Sequence, residues 1–216
     1  MRKTAIAAVT TLIMLIATSA AAAPPSSVVD SQLNGGRRIS VAPVVRNFDA
    51  DGNADGSTIG GSLLVRRNRS LRAFAYARDL RPGGVYTFWW VVIPDGGVFP
   101  DDAFVARGGG TVVGDNGRAA TWMRARKEQA SIEGFLIPFQ PLDFNLRTAE
   151  VHVEIAYHGQ AEDAGGDLNL WLSDFWSGTA CPESGGLNPA GVPGTTANAI
   201  GQPHCPVYIA AIFDGS

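Results

Sequence analysis

RPGGVYTFWWVVI, residues 81–93, says most about how this chain folds. From Val85 to Ile93 every residue is aromatic or β-branched and none is charged. Such residues pack well on a pleated surface, and the run is too short for most helices. Arg81-Pro82-Gly83-Gly84 before it is a strong turn, because proline presets one backbone angle and glycine admits the left-handed region. A strand that is apolar on both sides must be covered on both sides, so this one is expected at the centre of an all-β domain.

Working outward, the neighbours repeat the pattern. SVAPVVRNF (40–48) reads as a strand with Pro43 suggesting an edge position, and GGSLLVRR (60–67) and LRAFAYARD (71–79) read as a hairpin turning at Asn68-Arg69-Ser70. GTVVG (110–114) and RAATWMRAR (118–126) read as a second hairpin around Asp115-Asn116-Gly117. AEVHVEIAYH (149–158) alternates cleanly, and PVYIAAIF (206–213) closes the chain. Seven or eight short strands with Gly, Pro and Asn turns predict a β-sandwich or barrel. Leu71, Ala73, Ala75 and Ala77 share one face, where small alanines make room for Trp89 or Trp90. DLNLWLSDFWSG (167–178) spaces Leu168, Trp171, Leu172, Phe175 and Trp176 for one short amphipathic helix, with Asp167 as N-cap and Gly178 as stop. Packing over the central strand, or serving as a lid on an apolar ligand, are its two uses.

The ends of the chain speak to address. Arg2 and Lys3, an apolar run from Ala5 to Ala17, and small residues at Ala20 to Ala23 form a signal peptide, with cleavage placed after Ala21 or Ala22. An uncleaved anchor is the alternative, but the run falls short of the roughly 20 residues a span needs. Residues 23–39 form a polar leader, and 40–216 a single domain. Loss of Arg2 and Lys3 with the signal peptide shifts the formal charge from −3 to −5, which gives no general reason to expect a nucleic acid partner. Arginine far outnumbers lysine, as in proteins encoded by GC-rich bacterial genomes. The two cysteines, Cys181 and Cys205, are expected to pair in an oxidising compartment and to hold the Gly/Pro-rich loop between them. A reactive thiol pair is the other reading, and it lacks a C-x-x-C spacing.

LRPGGVYTFWWVV (80–92) resembles the corresponding segment of copper-zinc superoxide dismutase and the related CHRD β-sandwiches. The resemblance implies a Greek-key sandwich, with Phe88 in the place of the family's phenylalanine. Where the enzyme places metal-binding histidines, this chain has Tyr86, Trp89 and Val91, none of which binds copper. It therefore implies the fold without the chemistry, and a binding or structural role.

Candidate chemistry is sparse. FDADGNADGST (48–58) sets Asp49, Asp51, Asn53 and Asp55 two apart, with a Ser57 carbonyl to follow, as in loops that wrap calcium. The twelfth position is Ser62 where a bidentate glutamate is expected, and Asx residues also favour plain turns. His152, Glu154 and His158 share a face of one strand. His152 and Glu154 need a third residue to make a site, and a polar solvent face also explains them. His204 reads as a loop residue. No nucleophile elbow, Walker loop or H-E-x-x-H is present. Arg66, Arg67, Arg69 and Arg72 crowd one hairpin and suit a cell-surface polyanion, or guard a sheet edge against strand addition. The sequence thus points to an exported, non-catalytic β-sandwich without a required cofactor, calcium excepted. The rival is a hydrolase acting on carbohydrate or ester through loop carboxylates such as Asp101, Asp102, Asp143, Glu162 and Asp163.

Overall fold

In the computed structural model, residues 37–46, 56–97, 102–128, 142–173 and 207–215 are described. Eight of their segments form strands: β1 (Arg38–Arg46), β2 (Thr58–Arg67), β3 (Ser70–Ala77), β4 (Gly84–Ile93), β5 (Phe104–Val112), β6 (Ala119–Arg126), β7 (Glu150–Gln160) and β8 (Val207–Phe213). They lie in one antiparallel sheet of order β5-β4-β7-β8-β1-β2-β3-β6. The all-β expectation holds. Instead of two facing sheets, a single sheet curls until its edge strands β5 and β6 approach one another, so the barrel is nearly closed.

Alternation sorts the side chains to the two faces. Leu64, Leu71, Ala73, Ala75, Phe88 and Trp90 belong to a buried core to which all eight strands contribute. An eight-stranded barrel is just wide enough for side chains to fill it, and here they do. Trp90 shares this interior with the β3 alanines, while Trp89 points to the outside of the barrel and is buried there. β4 is buried at every position, as its composition requires.

A 3-10 turn (Ala161–Asp167) leads into α1 (Leu168–Trp171), which has a single turn. Ala164 and Trp171 pack on Val85, with Leu168 and Leu172 beside them, so the expected covering of the outer face of β4 is present at its start. Asp167 makes no side-chain cap. Phe175, Trp176 and Gly178 lie outside the described residues, as do the signal peptide, His204, Asp101, Cys181, Cys205 and the acidic positions Asp49, Asp51, Asn53 and Asp55. At the edge of that loop, the Ser57 carbonyl accepts the Arg46 N–H at 2.9 Å, within the β1–β2 pairing. Ser62 is buried in β2 and donates to the Phe74 carbonyl at 3.0 Å, so the twelfth position of a calcium loop is committed to the sheet.

Among the described strands the register shifts at four places, and two of these, in β5 and β7, bear on the site. Phe88 pairs with Gly109 and Trp89 with Arg107, leaving Gly108 as an extra residue in β5. Val85 pairs with Gly159 and Tyr86 with Tyr157, leaving His158 as the extra residue in β7. Extra residues of this kind increase twist and redirect side chains.

Candidate functional site

With the interior filled, chemistry has to be sought on the outer surface, and three constellations stand there. The first is on β7. Glu150, His152 and Glu154 point outward at intervals of two. The imidazole sits between the carboxylates, with Nε2 2.6 Å from Glu150 Oε1 and Nδ1 3.4 Å from Glu154 Oε1. His152 is 16 % exposed and Glu154 14 %. Burial opposes the charged imidazole, but the two glutamates outweigh it and push the His152 pKa up to about 9. The hydrogen bond from His152 holds the Glu150 carboxyl below its ordinary value. At neutral pH this is an imidazolium clamped between anions, which cannot serve as a general base. Sequence reasoning named His152 and Glu154 and missed Glu150, which the same period of two could have supplied.

The second constellation centres on Thr87, which faces outward from β4. Its Oγ1 accepts the Trp89 indole N–H at 2.7 Å and lies 2.6 Å from His158 Nε2. A hydroxyl so placed still has its proton to give to the imidazole. The distance is that of a nucleophile and its base, but Thr87 and His158 are fully buried and Trp89 is 1 % exposed, so no substrate reaches the oxygen. His158 therefore does not belong to a solvent face. The bulge seats it against β4 as a buried polar partner.

The third constellation is larger. β1, β2, β3 and β6 carry in-register rows of outward side chains. Val41 pairs with Leu63, Leu63 with Phe74, and Phe74 with Trp122. Phe74 and Trp122 meet in a tilted pair, with ring centroids 5.0 Å apart and planes at 47°, and Trp122 remains 68 % exposed. One row along, Ile39 pairs with Val65, Val65 with Arg72, and Arg72 with Arg124. A further row holds Arg67 and Arg126 on either side of Ser70. The Arg124 guanidinium is held below its ordinary value, by lost hydration first and then by the like charges of Arg126, Arg72 and Arg67. Among the described residues no carboxylate pairs with Arg67, Arg72 or Arg124.

This arrangement redistributes the arginines singled out in the sequence. Arg67 and Arg72 do face outward together. Arg69 is at the hairpin tip, paired with Glu128 at 2.9 Å. Arg66 is a correction: it is completely buried, and its charge is spent inside the protein. Its guanidinium donates to the carbonyls of Leu146 (3.2 Å), Ala149, Phe213 (3.3 Å) and Asp214 (3.1 Å). Burial first, then the charge of Arg38, lowers its pKa to about 10, so it stays protonated at neutral pH. Arg124 and Arg126 take its place in the basic cluster. They were legible in RAATWMRAR, where alternation sets Trp122, Arg124 and Arg126 on one face.

Of the loop carboxylates, Asp143, Glu162 and Asp163 are exposed. Among the described residues no three histidines, cysteines or carboxylates are grouped to hold a metal ion, and no helix is long and apolar enough to cross a membrane. Comparison with protein-family models, with curated proteins and with solved structures finds no match to this chain. The functional reading rests on the geometry of these faces.

Proposed function

We propose that this chain is an exported, non-catalytic β-barrel, related in architecture to Greek-key sandwiches, that binds a polyanion outside the cytoplasm through the outer face of β2, β3 and β6. The observation that carries the reading is Arg72 standing directly opposite Arg124 with Arg67 and Arg126 alongside. Like charges directly opposite on a sheet are destabilising, so a fold that keeps them has a use for them. Guarding a sheet edge is an insufficient account, because Arg72 is on β3, which is paired on both sides. The surrounding chain is acidic overall, so the basic face stands out in its own field. The Cys181–Cys205 bridge belongs to the same reading, as the staple of an exported domain.

Dextran sulfate is a suitable soluble probe. Titration at low ionic strength should show saturable binding that weakens by about ten-fold or more at about 0.15 M salt, where the Debye length is about 8 Å. Arg72→Ser combined with Arg124→Ser should abolish it while leaving the melting temperature unchanged or raised. Binding that ignores both the salt and the double substitution would refute the assignment.

A further inference from the structure

The basic row does not stand alone. Beside it runs the apolar row Val41–Leu63–Phe74–Trp122, and the row beyond, which includes Pro43 and Tyr76, carries no charge either. Strands lie about 4.8 Å apart, so the apolar row spans about 14 Å across four strands, and the arginine row runs parallel to it about 7 Å away. Val41 is 38 % exposed and Trp122 68 %, although Leu63 and Phe74 stand beside them.

We propose that this face docks on the surface of an anionic lipid bilayer, with the Val41–Trp122 row entering the headgroup region and Arg72, Arg124, Arg67 and Arg126 set against lipid phosphates. The proposal rests on the polyanion reading and names its partner. Charge complementarity demands an anion. The uncharged band beside the arginines demands in addition an apolar layer in the same plane, which a bilayer has and a soluble polyanion lacks. Tryptophan and tyrosine favour that interface because one part of the ring is apolar and the other wet. Arginine suits it because its stem lies along apolar surface while the guanidinium meets phosphate with paired hydrogen bonds. A carbohydrate chain would be met by hydrogen-bonding side chains around the aromatic platform, and Val41, Leu63 and Phe74 have none to offer. A twofold dimer through the same strip would bring the arginines of both copies into one interface.

The test uses the full mature chain with vesicles of phosphatidylcholine alone and of phosphatidylcholine with phosphatidylglycerol. Cosedimentation with the anionic vesicles only, a blue shift in tryptophan emission, and quenching by lipids brominated near the headgroup end of the acyl chain are expected. Trp89, Trp90 and Trp171 are buried, Trp176 lies outside the described residues, and the part of the signal lost in Trp122→Ser belongs to Trp122. That variant should bind vesicles at least about ten-fold more weakly, since interfacial affinity scales with the apolar area inserted. It should keep its binding of dextran sulfate, because the arginines remain. Binding of dextran sulfate without binding of vesicles would overturn the bilayer assignment and leave the polyanion reading standing. Vesicle binding unaffected by Trp122→Ser would also overturn it. Binding of neither probe would remove both readings, and a dimer dissolved by Trp122→Ser would assign the face to a second copy of the chain.

Discussion

At the residue scale, His152 makes stability depend on pH above neutrality. A histidine whose pKa is raised in the folded state adds stability that is complete below its unfolded value, near 6.5. That stability is lost as the pH climbs through about 9, the folded value. The largest contribution such a shift allows is about 3 kcal/mol. Urea unfolding at pH 6 and at pH 9.5 should therefore show a loss in the wild type that is mostly absent from His152→Gln. Parallel losses in the two proteins would show that the Glu150–His152–Glu154 bridge contributes nothing. Alternation along β7 put His152 and Glu154 on one face at the sequence level. Which ring nitrogen meets which carboxylate depends on rotamers that only packing selects.

Among the elements, β5 is where sequence reasoning fell short. Only 110–114 reads as a strand from the chain, yet β5 runs Phe104–Val112. Gly108-Gly109-Gly110 looks like a breaker, whereas in the folded barrel it is the place where neighbours come close. A Cβ on Gly108 would sit 2.0 Å from Met123 Cε, 2.8 Å from its Cγ and 2.9 Å from its Sδ. The glycine leaves the room through which β6 approaches and the barrel shuts. Gly108→Val should thus destabilise by about 1–3 kcal/mol, the usual cost of overpacking. Met123→Ala in the same chain should recover part of that loss, since the two positions share one space. Additive losses in thermal or urea unfolding would mean that Gly108 and Met123 do not compete. The helix shows the opposite limit: the spacing of Leu168, Trp171 and Leu172 was legible, but 3-10 geometry occupies the turn before it.

For the whole molecule, Arg66 ties together segments that are far apart in the chain. It fastens β2 to the loop carrying Leu146 and Ala149 and to the end of β8, at one end of the barrel. Three buried carbonyls and the part-buried one of Asp214 depend on one guanidinium, and each buried one left unsatisfied costs about 1–3 kcal/mol. Arg66→Met, similar in length but without a donor, should cost about 3 kcal/mol or more. Arg66→Lys should recover little, because one ammonium does not spread across two pairs of carbonyls. Hydrogen exchange should locate the damage, with faster exchange in β8 and at the start of β7. A stable Arg66→Met protein with native exchange there would remove Arg66 from this role.

Every strand except most of β5, the two-sided burial of β4, the sorting of alanines to the β3 interior, and the period-two faces from which the basic and apolar rows are built are legible in the order of residues alone. These are local consequences of side-chain chemistry and of the two-residue repeat of an extended chain. That the strands form one nearly closed sheet emerges only on folding, because closure depends on bulges and on β5 meeting β6 across distant segments. Register between strands is likewise decided on folding. It drew Arg72 opposite Arg124 and aligned Val41, Leu63, Phe74 and Trp122 into a row. Arg66 and Arg67 are adjacent in sequence and identical in chemistry. The pleat sent one into the core and the other to the surface, and burial then gave the inner one carbonyls instead of a ligand.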